Sequence, residues 1–134
     1  MHKNRSVTQQ EQRFSPGVKL ISATDLKGVI THCNDAFESI SGFTRDELIG
    51  QHHNIVRHPD MPKAAFKGMW DTIQSGKTWY GYVKNLCKNG SYYWVYATVV
   101  PSFDQDGKII AYTSIRRMPS PEKVKEAEEL YKTL

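Results

Sequence analysis

Cysteine is scarce in this chain. Only Cys33 and Cys87 occur among 134 residues, far apart and outside any CxxC or Cys/His spacing. That disfavours a disulfide framework and a thiolate metal site, and both residues read as thiols of a reducing cytoplasm. Long apolar runs are lacking, so no segment is expected to cross a bilayer. The polar stretch Met1–Arg13 has no apolar centre of the kind a secretory signal needs. The sequence therefore reads as carrying no export or anchoring signal of its own, with an anchor elsewhere in a longer protein left open. Also missing are a Gly-rich phosphate loop, a nucleophile elbow and paired acids within one helix turn, so no catalytic residue is assigned. The net charge is +4, yet dense basic blocks are absent. Lys84 and Lys88, Arg116 and Arg117, and Lys123 and Lys125 are scattered, which reads as a solvated mixed-charge surface and not a nucleic-acid footprint.

What is present suits one compact domain: 39% apolar and 24% charged residues, enough for a core with a wet surface. Residues 1–17 read as a polar arm ending at the breaker cluster Ser15-Pro16-Gly17. Val18–Thr24 and Val29–His32 form a strand pair around Asp25-Leu26-Lys27-Gly28. Asn34 or Asp35 caps a helix with Phe37 and Ile40 inward, ended by Gly42. Thr44 and Glu47 form a capping box. The His-rich, Pro-bounded residues 51–62 suit a short helix plus loop. Pro62 then fits the first turn of a helix to about Ser75, with Phe66, Met69, Trp70 and Ile73 as its buried stripe. Trp79–Cys87 and Tyr92–Phe103 are long strands around a Lys88-Asn89-Gly90-Ser91 turn, and Lys108–Arg117 is a third. Glu122–Leu134 reads as an exit helix with Val124, Ala127, Leu130 and Leu134 on one side. The fold class is thus α+β: a five-stranded antiparallel sheet, several short helices covering one face, a core domain over 18–118 and a linker helix over 119–134. A pocket between sheet and helices is the expected small-molecule site.

Two segments resemble a known family. Asn34-Asp35-Ala36-Phe37 with Ser41–Gly50, and later Trp79-Tyr80-Gly81, Lys88-Asn89-Gly90, Tyr93-Trp94-Val95 and Gly107-Lys108-Ile109, resemble the two halves of a PAS domain across about 18–117. His53-Asn54-Ile55-Val56-Arg57-His58-Pro59-Asp60-Met61-Pro62, with Trp70 and Val83-Lys84-Asn85, resembles the PAS domain of bacterial aerotaxis receptors. That resemblance implies non-covalent FAD and a redox signal reporting oxygen or respiratory state. It also implies a full-length receptor, homodimeric and anchored in the inner membrane. There the domain is cytoplasmic and signals through a HAMP domain to a chemotaxis kinase and its coupling protein, with no membrane or nucleic-acid contact of its own.

A flavin needs apolar walls, hydrogen-bonding partners for its pyrimidine edge, and cations or backbone N–H groups for its diphosphate. Alternation places Trp79, Gly81, Val83, Asn85 and Cys87 on one strand face. A two-residue turn pairs Asn85 with Trp94. A longer loop with Gly90 as a bulge pairs it with Val95, and is favoured because it gives a smooth floor of small residues, similar to other flavin PAS domains. Tyr80, Tyr82, Trp94 and Tyr96 then lie on the outer face, where a cap or second subunit should cover them. Asn85 can donate and accept at once, Trp79 can stack on the ring, and Val83 and Val95 line the floor. The resemblance ties His53, Arg57, His58 and Asp60 to FAD binding: cations for phosphate, and the carboxylate for a ribose hydroxyl or for holding Arg57. Asn34 faces the same region from its cap, and Ser114 approaches the ring edge. Structural roles for all of these stay open, as core packing or loop ties. No zinc is expected, since His52 and His53 are adjacent and point apart with no thiol or paired carboxylates nearby. Residues 51–60 hold no cysteine for a light-driven adduct. The competing functions are a cofactor-free PAS dimerisation module, a haem gas sensor and a flavin enzyme.

Overall fold

The computed structural model describes residues 6–134, so the first five residues of the expected arm lie outside the described residues. Ten elements follow in order: β1 (Leu20–Thr24), β2 (Ile30–Cys33), α1 (Asp35–Ser41), α2 (Arg45–Leu48), a 3-10 turn (His53–Val56), α3 (Lys63–Gln74), β3 (Trp79–Leu86), β4 (Tyr92–Phe103), β5 (Ile109–Arg117) and α4 (Pro121–Tyr131). The five strands form one antiparallel sheet in the order β2-β1-β5-β4-β3. The connection between β2 and β3 carries all the helices of one layer.

Local chemistry accounts for the helix bounds. Asn34 Oδ1 accepts from the Phe37 N–H, and Gly42 closes α1 in the left-handed conformation. Thr44 and Glu47 form the reciprocal capping box that starts α2. Pro62 takes the N-cap position of α3 and not its first turn. Ser120 caps α4. In α4 the packed side is Ala127 with half-buried Val124 and Tyr131, whereas Leu130 and Leu134 are exposed. The expected stripe thus turns by one position, because Tyr131 reaches the sheet. Its ring stacks on Trp94 at 6.4 Å and its hydroxyl donates to the Tyr82 carbonyl at 2.5 Å.

The β3–β4 register differs from both sequence-based pairings. Asn85 faces Tyr93, Val83 faces Val95 and Gly81 faces Ala97. The cause is a three-residue loop, Lys88-Asn89-Gly90. The Cys87 N–H donates to Ser91 O, the Gly90 N–H to Cys87 O, and Gly90 has φ +93°. The register slides by two residues, so the face assignment survives and only the partners change.

Two free strand edges are covered. The 57–61 loop lies along the edge of β3, with an Arg57–Asn85 bridge and the His58 N–H on Lys84 O. The N-terminal arm pairs with the start of β4, beyond the end of β5. Thr8 and Gln12 N–H donate to Gly90 and Tyr92 carbonyls, and the Tyr92 N–H donates to Gln10 O. Trp94 is covered by α4, while Tyr80 stays 60% exposed and stacks only on Tyr96.

Gly90 joins two of these features, because a Cβ there would meet the Ser6 carbonyl. Gly90→Ala is expected to cost about 1–2 kcal/mol from its left-handed backbone alone. The measurement is the urea midpoint against a Gly17→Ala control, whose Cβ would meet nothing within 4 Å. Equal midpoints for the two variants would contradict the account.

Candidate functional site

The core is split into two clusters. One centres on Phe37, Leu20, Tyr93 and Val95, the other on Ile73, Val99 and Tyr112, and Trp79 packs against both. Residues of both clusters wall a cavity of about 720 Å³, counted out to its open mouth, between the sheet and the helical layer. Trp79, Val83, Ala97 and Val99 supply the sheet wall, and Phe66, Met69, Trp70 and Ile73 the α3 wall. The α3 stripe is therefore only partly core: three of its four residues stay half-buried because they face the cavity. Gly81 is dictated by Trp79, whose indole lies where a Gly81 Cβ would stand.

The deep end holds a polar cluster. Arg116, 2% exposed, donates to Ser22 Oγ at 2.8 Å, Ser114 Oγ at 3.2 Å and His53 Nε2 at 2.9 Å. Its guanidinium also lies over the Phe37 ring at 4.4 Å. Arginine can only donate, so His53 Nε2 accepts and the ring proton sits on Nδ1. Burial first, then the Arg116 charge, push the His53 pKa down to about 3, and burial lowers Arg116 to about 10.

The mouth holds Arg57, stacked on Phe66 at 3.9 Å, with burial lowering its pKa. Arg57 Nε is buried without a partner. Asn85 is 4% exposed and lines the cavity. Buried polar atoms without partners are uncommon enough to mark a place for a ligand.

Six of the residues expected at the site come together around this cavity: His53, Arg57, Trp79, Val83, Asn85 and Ser114. The other four stand elsewhere. Asn34 is spent on structure, accepting from the Ile21 and Phe37 N–H groups and donating to Lys19 O. His58, 1% exposed, packs edge-on to Tyr92, and Asp60 pairs with Lys84 at 3.0 Å; both lie along the β3 edge. Val95 is fully buried beneath the floor. His53 lies with Arg116 in the deep cluster and not beside His58. Sequence reasoning missed Arg116, read as scattered surface charge, and treated Trp70 as core. The signal for Arg116 was parity: Tyr112, Ser114 and Arg116 alternate onto one face of β5.

Comparison with known proteins adds a frame. The family model described as PAS fold matches residues 30–116. The chain is 52% identical over 128 residues to the aerotaxis receptor of Escherichia coli (strain K12), covering 96% of this chain and 25% of that protein. It is 27% identical over 97 residues to the nitrogen fixation regulatory protein of Klebsiella pneumoniae, covering 72% of this chain and 20% of that protein. The chain thus spans a quarter or less of these relatives. A light-oxygen-voltage domain studied with a flavin analogue superposes with a TM-score of 0.74 at 17% identity, covering 81% of this chain and 82% of that one. At that identity the likeness shows the fold alone. Among the described residues, no helix is long and apolar enough to cross a membrane, and no three His, Cys, Asp or Glu side chains group as a metal site.

The depressed His53 sets a pH dependence. Its folded pKa of about 3 lies below the ordinary imidazole value of 6.5. Between those values the unfolded chain binds a proton that the folded chain refuses, so stability falls as pH drops through that window. This one group contributes at most about 1.4 kcal/mol per pH unit. His58, lowered first by burial and then by Lys84, acts in the same direction. His53→Gln is expected to flatten the slope of urea midpoint against pH below about 6.5. Identical slopes in variant and wild type would count against a neutral, half-buried His53.

Proposed function

The chain belongs to the PAS-fold family, and from that premise we propose that it is the FAD-holding redox sensor of an aerotaxis-type chemotaxis receptor, not an enzyme. The observation that carries this is the cavity itself: apolar walls combined with the buried Asn85 and with Nε atoms of Arg57 and Arg116 that have no partner among the described residues. These residues fit a flavin. Trp79, Val83, Ala97 and Val99 suit the face of a flat ring, and the Asn85 carboxamide suits an edge that both donates and accepts. Arg57 at the mouth suits a phosphate, and its stacking on Phe66 holds the guanidinium in place. Bound FAD supplies the electron-accepting ring. The protein's part is to hold it, exclude water and respond to its charge.

The response route follows the covalent chain. Ser114 and Arg116 line the cavity, and β5 runs on within a few residues into α4, whose Tyr131 stacks on Trp94. On the other wall, the Asn85 backbone bridges to Arg57. Asn85 can exchange donor for acceptor by turning its amide, at little cost. A two-state element of this kind must interact differently with the two flavin states for a signal to follow. Downstream partners are the HAMP and signalling domains of the same homodimeric receptor, and through them a chemotaxis kinase and coupling protein. The domain itself works on the cytoplasmic side of the inner membrane. The 52% identity to the aerotaxis receptor supports this assignment.

Three experiments test the proposal. Purified protein is expected to show flavin absorbance near about 450 nm, from the chemistry of the cofactor itself. Colourless, folded protein would favour a cofactor-free interaction module, and a Soret band a haem sensor. Turnover with a reductant and an organic acceptor would overturn the non-enzymatic role. Asn85→Ala is expected to keep the fold and abolish the redox dependence of α4, read by hydrogen exchange of oxidised and reduced protein. Wild-type redox dependence in that variant would remove Asn85 from the switch.

A further inference from the structure

Arg116 is a cation held where cations are costly. Its guanidinium is 2% exposed and forms part of the cavity wall. Its hydrogen-bond partners are all neutral: two serine hydroxyls and the unprotonated nitrogen of His53. Its Nε has no partner. Among the described residues, no carboxylate lies within ion-pair distance of it. A buried charge without a counter-charge is strongly destabilising, and an apolar side chain of similar length would fill the same space at less cost. The position therefore makes physical sense if negative charge arrives from the cavity.

We propose that Arg116 is the counter-ion for a negatively charged state of the cavity's ligand. Resting on the flavin assignment above, it favours the anionic reduced ring over the neutral oxidised one. An external reductant supplies the electron. The ring gains one negative charge, and the guanidinium, already protonated, compensates that charge without transferring a proton. Three hydrogen bonds and the Phe37 ring fix the guanidinium in advance, so little reorganisation accompanies the change. Neutral His53, Ser22 and Ser114 orient it without cancelling it. Arg116 is thus a positioning and charge-selecting residue, distinct from Arg57. A phosphate is charged in both redox states, so a cation serving only the phosphates would leave the ring's potential unmoved.

The test is the reduction potential of the flavin-loaded protein, measured anaerobically with dithionite against a reference dye. Arg116→Gln removes the charge. Ser22→Asp keeps the arginine and sets a carboxylate beside it, cancelling the charge while giving the guanidinium an ion pair. Each is expected to weaken binding of the reduced ring relative to the oxidised ring at least tenfold. For a one-electron couple that is a fall of about 59 mV. Arg116→Lys is expected to retain more than half of the wild-type effect. A coloured Ser22→Asp protein with an unchanged potential overturns the inference, even where Arg116→Gln fails to fold. Equal weakening of both redox states, leaving the potential unmoved, also overturns it and points to a phosphate role. Colourless wild-type protein would refute the flavin assignment, and this inference falls with it.

Discussion

The pairing of β3 with β4 decides which side chains can meet a ligand. Gly90 at φ +93° closes a three-residue loop, and that loop sets Asn85 opposite Tyr93 and Val83 opposite Val95. With this register the cavity receives a small-residue wall of Val83, Ala97 and Val99, and Trp79 folds over Gly81. A slip of one residue would turn one strand over, bringing either Tyr82 or Trp94 and Tyr96 inward to fill the space with rings. The same loop also receives the N-terminal arm through the Gly90 carbonyl, so the edge of β4 and the floor of the cavity are set by one turn.

A second constraint is electrostatic. The sheet buries a guanidinium at its centre and surrounds it with groups that satisfy geometry but not charge. Such an arrangement costs stability, and the Phe37 ring offsets only part of that cost. It also depresses His53 and keeps it neutral, so the cluster has a single permanent charge. Nearby, Arg57 Nε lacks a partner among the described residues. Two of the unpartnered buried atoms, Arg57 Nε and Arg116 Nε, belong to residues lining one cavity, while His58 Nε2 lies along the β3 edge.

Much of the fold was legible because its signals are local. The Thr44–Glu47 capping box, the Asn34 cap and the bounds of β4 each follow from a few adjacent residues. What escaped depends on longer relations. The hairpin register turned on counting one loop hydrogen bond, between Cys87 and Ser91. The stripe of α3 has the same period whether it faces packed core or cavity, so Trp70 looked like core. Arg116 lay beside Arg117 near a strand end, where arginine is usually solvated, although its parity with Ser114 pointed inward. The His53–Asp60 segment looked like one polar cluster, yet the 3-10 turn and loop send His53 into the sheet and His58 and Asp60 along its edge.

Six residues expected at a flavin now stand around one cavity, with a seventh, Arg116, at its deep end. The most direct measurement is the identity of whatever the purified protein carries: acid release followed by mass determination and quantitation against the chain. The account requires FAD, close to equimolar with protein. Release of haem, or of no cofactor from folded protein, would contradict it.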